Sequence, residues 1–251
     1  MITNVARYVL FATLVLSGCQ SEPSNTSYSN ESHQTSISDS LSAAPANDPT
    51  GTDTLPDSPT YTVVVLGNSL AAGYGIDAED AFPALVEQKA RALGLPVRVI
   101  NAGVSGDTSA GGLRRVGWLL QTHIDMLVLE LGGNDGLRGI DLDDTYQNLL
   151  SIVNQTRVAY PDVAVVIAGM QVPPNLGPDY TRAFAELFPR LSQETGATFI
   201  PFLLEGVGGD PSLNLPDGIH PTEAGHQIVA ETVWNVVGPI LTAAMPQRPP
   251  Q

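Results

Sequence analysis

Five short apolar runs rich in β-branched residues recur along the chain, at Thr62–Leu66, Val97–Asn101, Met126–Leu131, Val163–Ala168 and Thr198–Phe202. Strands that are apolar at successive positions have both faces covered, the signature of a buried parallel sheet. The covering elements lie between the runs. Phe82, Leu85, Val86, Ala90 and Leu93 fall on one helical stripe, as do Leu113, Val116 and Leu120, and then Leu142, Tyr146, Leu149, Leu150 and Val153. A fourth helix is predicted over Tyr180–Glu194. A last one is predicted from Pro221, a favoured first helical residue, burying Ile228, Val229, Val233, Val236, Val237 and Ile240. Such alternation, joined by right-handed crossovers, restricts the fold to α/β: a three-layer α/β/α arrangement around a doubly wound five-stranded parallel sheet.

The segments outside that pattern read differently. Residues 1–18 predict a signal segment, with Arg7 ahead of an apolar run, Tyr8–Leu16, too short to span a bilayer. Leu16-Ser17-Gly18-Cys19 resembles the lipobox of bacterial lipoproteins, which implies cleavage before Cys19 and a lipid anchor on its sulfur. Gln20 follows rather than aspartate, as in lipoproteins sent to the outer membrane, so the expected location is the cell envelope, facing the periplasm. Residues 19–60, rich in Ser, Thr, Asn, Asp and Pro, bury too little apolar surface to offset their ordering entropy and read as a disordered tether. The folded domain is expected over 61–245, with 246–251 a frayed tail. A formal charge of −15 with a single lysine, Lys89, excludes a nucleic-acid partner. The lone cysteine forms no internal disulfide, so stability rests on the core.

In open parallel sheets, sites form where loops leave the carboxyl ends of the strands. Ser69 sits there, in Gly67-Asn68-Ser69-Leu70-Ala71 after the first run. A serine at that point is also a common helix cap. Beyond the fifth run, Asp217-Gly218-Ile219-His220 pairs a carboxylate with a neutral-range base, and one short turn can present both to the same place. The alternative is a loop that caps the helix beginning at Pro221. His226 is the competing base. It lies within the last helix with only Glu223 three residues before it, which is ordinary helical spacing, and is assigned a structural role. His33 falls in the tether and His123 at a helix end. After the third run, Gly132-Gly133-Asn134-Asp135 offers the Asn134 amide as a donor to developing charge, with Asp135 structural. Asn101–Thr108 offers a backbone N–H at Gly106 and a helix cap at Thr108 or Ser109. It has neither the lysine of a phosphate loop nor dinucleotide glycine spacing.

Together these blocks resemble the SGNH hydrolases, or GDSL esterases, over about Thr62–Ile240, in the branch of bacterial acyl-CoA thioesterase I, lysophospholipase L1 and arylesterase. Leu131-Gly132-Gly133-Asn134-Asp135-Gly136-Leu137-Arg138-Gly139 and Asp217-Gly218-Ile219-His220-Pro221 carry the resemblance most specifically, with Ser105-Gly106-Asp107-Thr108-Ser109 in support. One departure stands out: the usual Gly-Asp-Ser-Leu reads Gly67-Asn68-Ser69-Leu70.

The resemblance implies a flavodoxin-like sheet and a serine hydrolase of carboxylic esters or thioesters, acting through Ser69, His220 and Asp217 and an acyl-enzyme. It implies an oxyanion hole from the N–H groups of Ser69 and Gly106 and the Asn134 side chain. It needs no cofactor and no metal, and it suggests a monomer. The segment Gln171–Tyr180, with Val172, Pro173 and Pro174, is similar to the loop bordering the acyl pocket in that branch. Leu70, Leu137 and Ile219, beside the motif residues, complete the candidate substrate contacts. Export disfavours acyl-CoA and favours small acyl esters or lysophospholipids. Alternatives are a carbohydrate O-deacetylase on the same fold and a non-catalytic envelope binding lipoprotein, which the complete Ser69, His220 and Asp217 set argues against.

Overall fold

A computed structural model describes residues 60–245. The expected signal segment, Cys19, the tether up to residue 59 and the tail lie outside the described residues. The five apolar runs form strands β1 (Tyr61–Gly67), β2 (Val97–Gly103), β3 (Met126–Glu130), β4 (Ala164–Ala168) and β5 (Thr198–Ile200). All pair in parallel in the order β2-β1-β3-β4-β5. Residues Val63–Leu66, Met126–Leu129 and Val165–Ala168 are buried on both faces, as their unbroken hydrophobicity requires. The edge strand β2 is only partly buried, because it has a neighbour on one side alone. β5 stops at Ile200, short of the expected Phe202, since Pro201 has no N–H to continue a ladder.

Helices α2 (Phe82–Ala92) and α7 (Glu223–Ala244) pack together; α3 (Ser109–Leu119), α5 (Leu142–Ala159) and α6 (Pro178–Thr195) pack as a second layer. Two short helices, α1 (Ser69–Ala72) and α4 (Gly133–Leu137), follow β1 and β3 directly. Two helical expectations shift. Leu93 is 52% exposed, because the helix closes at Ala92 and Leu93 lies past the stripe. The last helix begins at Glu223 rather than Pro221: Pro221 bridges to Asn214, and the Thr222 hydroxyl caps the helix by accepting from the Gly225 N–H.

The chain leaves β1 toward one neighbour and returns to build β3 on the other side. The loops after β1 and β3 therefore diverge at the carboxyl edge and open a crevice between them. Among the described residues no helix is long and apolar enough to cross a membrane.

Candidate active site

The turn after β1 is held from below by an acid inside the sheet. Glu130, at the end of β3, is fully buried, and its Oε2 accepts from the N–H of Asn68 at 3.0 Å and of Ala71 at 3.2 Å. A side chain at Gly67 would collide with that carboxyl, since a Cβ there would stand 2.4 Å from Oε2. Asn68 Oδ1 accepts from the Leu70 N–H at 2.9 Å. Three of the four amides in Asn68–Ala71 are thus consumed, and the Ser69 N–H has no acceptor among the described residues. Burial raises the Glu130 carboxyl to about 8 against the lowering pull of the two amides. Glu130 Oε1 is buried with no hydrogen-bond partner, as suits a neutral acid better than a carboxylate.

Asp217 and His220 come from one tight loop. Its ends are tied by the Leu215 N–H donating to the His220 carbonyl at 2.7 Å, and Gly218 turns the chain at φ +69°. Asp217 Oδ1 accepts from the backbone N–H of Ile219 and His220, while Oδ2 lies 2.6 Å from His220 Nδ1. These bonds, the one to the ring first, draw the Asp217 carboxyl down to about 2. A proton on Nδ1 leaves Nε2 as acceptor, and Nε2 lies 2.9 Å from Ser69 Oγ. The two motifs, 151 residues apart, thus meet. The Tyr74 ring packs against the imidazole, its centroid 4.4 Å away and its plane tilted by 38°.

His226 is buried, stacks on Phe82 and takes the Phe82 N–H on Nδ1, the structural role expected of it. Burial, and then the charge of His220, hold it down at about 4. His123 lies beyond the end of α3, not on it, and pairs with Asp125.

The Gly106 loop is fastened by an arginine that no sequence motif marks. Arg115, on α3, donates to Asp107 Oδ2 at 2.7 Å, to the Ala102 carbonyl at 2.7 Å and to the Gly67 carbonyl at 2.9 Å. One planar guanidinium therefore joins the end of β1, the end of β2 and the loop after it. Gly106, at φ +81°, has no acceptor for its N–H among the described residues. Asn134 donates one amide hydrogen to the Asp107 carbonyl at 2.9 Å, which fixes the side chain and leaves a second hydrogen available. Asp135 reaches back to cap α3, accepting from both the N–H and hydroxyl of Ser109.

A cavity of about 310 Å³ opens beside Ser69 and His220. Of the predicted contacts, Leu70, Asn134, Leu137, Val172, Pro173 and Ile219 line it; the Pro174 side chain lies outside the described residues, and Gly106 is not part of the wall. Met170, Phe202 and Leu204 complete the apolar lining. They lie in the loops past β4 and β5, and nothing in their spacing sets them apart from core residues. No group of three or more His, Cys, Asp or Glu among the described residues is placed to hold a metal.

The model of the GDSL-like lipase/acylhydrolase family matches residues 65–228. The chain belongs to this family. Against esterase TesA of Pseudomonas aeruginosa this GDSL hydrolase is 40% identical over 181 residues, which cover 72% of it and 89% of TesA. Thioesterase 1/protease 1/lysophospholipase L1 of Escherichia coli K12 is 36% identical over 181 residues, 72% of this chain and 85% of that one. A crystal structure of TesA superposes with a TM-score of 0.68 at 39% identity, covering 71% of this chain and 99% of that one. The psychrotrophic esterase EstA from Pseudoalteromonas gives 0.68 at 31% identity, covering 72% and 98%. The expected family and sheet architecture are borne out.

Proposed function

We propose that this GDSL hydrolase cleaves carboxylic esters through Ser69, His220 and Asp217, by way of an acyl-enzyme. The observation that carries the reading is the unbroken chain from Asp217 through His220 to Ser69 Oγ at the mouth of an apolar cavity. As Ser69 Oγ bonds to the acyl carbon, His220 Nε2 takes its proton and the carbonyl oxygen becomes an oxyanion. The Ser69 and Gly106 N–H groups and the Asn134 amide receive that charge. The intermediate collapses with the alkoxide leaving, and His220 returns the proton to it. Water, deprotonated by the same imidazole, then releases the acid and restores Ser69. Asp217 holds the tautomer and offsets the imidazolium charge.

The apolar lining suits an acyl chain or aryl group better than an acetylated sugar, which presents hydroxyls needing partners. Small acyl esters, including lysophospholipids, are therefore the proposed substrates. Lipid attachment at Cys19, anchoring in the cell envelope and a monomeric state are further proposals, supported by Leu16-Ser17-Gly18-Cys19 and by the family resemblance. Labelling by a fluorophosphonate, together with a series of p-nitrophenyl esters of rising chain length, tests the reaction. Ser69→Ala is expected to abolish both labelling and turnover. Labelling that survives in this variant would sink the assignment.

A further inference from the structure

Eight large apolar side chains stand exposed among the described residues. Three of them, Leu93, Trp118 and Val158, lie at the carboxyl ends of α2, α3 and α5, which return to the amino edge of the sheet. The other five are spread one apiece over the five segments leaving the carboxyl edge. Tyr74 follows β1 and Val104 follows β2. Leu137 ends α4 after β3, Leu176 lies in the turn after β4, and Ile219 sits in the loop beyond β5. Each is 41–51% exposed.

Each of the five is tied to the site. Leu137 and Ile219 are cavity walls, and Tyr74 lies on the His220 ring. Val104 is two residues from Gly106, with its N–H on the Gly67 carbonyl. One Leu176 methyl carbon lies 3.6 Å from where a Cβ on Gly139, two residues past Leu137, would be. These five therefore form a broken ring on the loops around the cavity mouth, and two of them, Leu137 and Ile219, line the cavity itself.

We propose that this ring docks the hydrolase on an electrically neutral phospholipid surface, a zwitterionic bilayer, so that an ester passes from lipid into the cavity. The proposal rests on the esterase reading. Exposed apolar side chains gathered at the rim of an apolar cavity, rather than scattered over the molecule, mark an interaction site. The five side chains come from five separate segments and form no linear groove, so the partner must be broad and deformable. A second copy seated there would cover Ser69 and His220 and bar the substrate. A lipid surface covers the ring and supplies an apolar ester at the same time. The formal charge of −15 opposes an anionic surface and leaves a neutral one. Residues with an apolar body and a polar tip, such as Tyr74, favour the depth of the headgroups.

The test uses the full chain carrying Cys19→Ser, which removes any lipid on that sulfur from every sample. Val104→Ser with Leu176→Ser alters the ring without touching a cavity wall. Cosedimentation with phosphatidylcholine vesicles is expected to weaken on the order of tenfold in this double variant. Val158→Ser, 84% exposed and at the opposite edge, is expected to bind as the parent does. Hydrolysis of a short, water-soluble ester is expected to be unchanged in the Val158 variant, and in the double variant it reports whether the neighbouring loops have kept their shape. Vesicle binding equal in the ring and Val158 variants would overturn the proposal. So would a parent that ignores vesicles but forms a dimer through the ring. Loss of soluble-ester hydrolysis in the parent would instead defeat the esterase reading and leave the vesicle comparison to be judged alone.

Discussion

Asn68 stands where the motif that names the family carries aspartate, and it is 3% exposed beside the proposed nucleophile. Its Oδ1 accepts the Leu70 N–H and lies 3.4 Å from Ser69 Oγ. An amide does this as well as a carboxylate, so the turn keeps its shape. What changes is charge. Asn68→Asp puts a carboxyl within two hydrogen bonds of the His220 ring, where a negative charge stabilises the imidazolium. The acid limb of kcat/KM is expected to move up by about half to one pH unit, with the plateau little changed. A pH–rate profile of the two proteins checks this; superimposable limbs would show that the position is electrostatically silent. Asn134 makes a sharper demand. One of its amide hydrogens is held by the Asp107 carbonyl, and the other is free for charge that exists only in the transition state. Asn134→Ala is expected to lower kcat on the order of a hundredfold with little change in KM. Steady-state kinetics with a soluble ester decide, and a raised KM at unchanged kcat would assign the amide to ground-state binding.

At the scale of elements, α3 is more than a cover for the sheet. Through Arg115 it fastens the loop that carries Gly106 to the ends of β1 and β2. The approach is close enough that Gly111 must lack a side chain, because a Cβ there would lie 1.6 Å from Asp107 Oδ1. Arg115→Ala is expected to cut kcat on the order of tenfold or more while KM stays within about threefold, since it loosens an oxyanion donor and leaves the cavity wall alone. Partial recovery of kcat by added guanidinium, with no change in thermal midpoint, would distinguish positioning from loss of fold. A variant that melts early and is not rescued would make the arginine structural. The same clamp shows why part of the site was legible in the sequence and part was not. Ser69, Asn134, Asp217 and His220 follow strands or sit in short turns with glycines, so local spacing betrays them. Arg115 lies on a helix amid Leu113, Val116 and Leu119, and its three acceptors come from residues 13, 8 and 48 positions away. Only the strand order brings them together. The unbroken apolar runs of β1, β3 and β4 gave away the sheet. The apolar run outlasts the strand at β5, where Pro201 ends pairing. Glu130 lies inside the third apolar run, and nothing in its spacing points to its partners across the β1 turn.

For the molecule as a whole, Glu130 couples the fold to pH. Its carboxyl is buried and raised to about 8, chiefly by desolvation, whereas an unfolded glutamate titrates near ~4.3. Below about 4.3 both states hold the proton and the group contributes no slope. Between there and about 8 the unfolded chain gives up a proton that the folded chain keeps, so stability falls as pH rises. Above that value both states are ionised and the slope from this group ends. The general repulsion of an acidic chain, formal charge −15, also weakens the fold with rising pH, so the wild type alone cannot isolate the effect. Glu130→Gln can. Its amide oxygen is able to accept from Asn68 and Ala71 as Oε2 does, it has no proton to lose, and it leaves the surface charge untouched. Urea unfolding at pH 5, 6, 7 and 8 is expected to show the wild type losing stability more steeply than the variant. The gap should widen to a few kcal/mol, of order ~1.4 per pH unit across the window. Esterase activity at pH 7 should survive, because a neutral group then replaces a neutral group beneath Ser69. Parallel stability curves would mean that Glu130 ionises in the folded protein near its ordinary value. The turn carrying Ser69 would then sit over a buried negative charge, and the developing oxyanion would have to form against it.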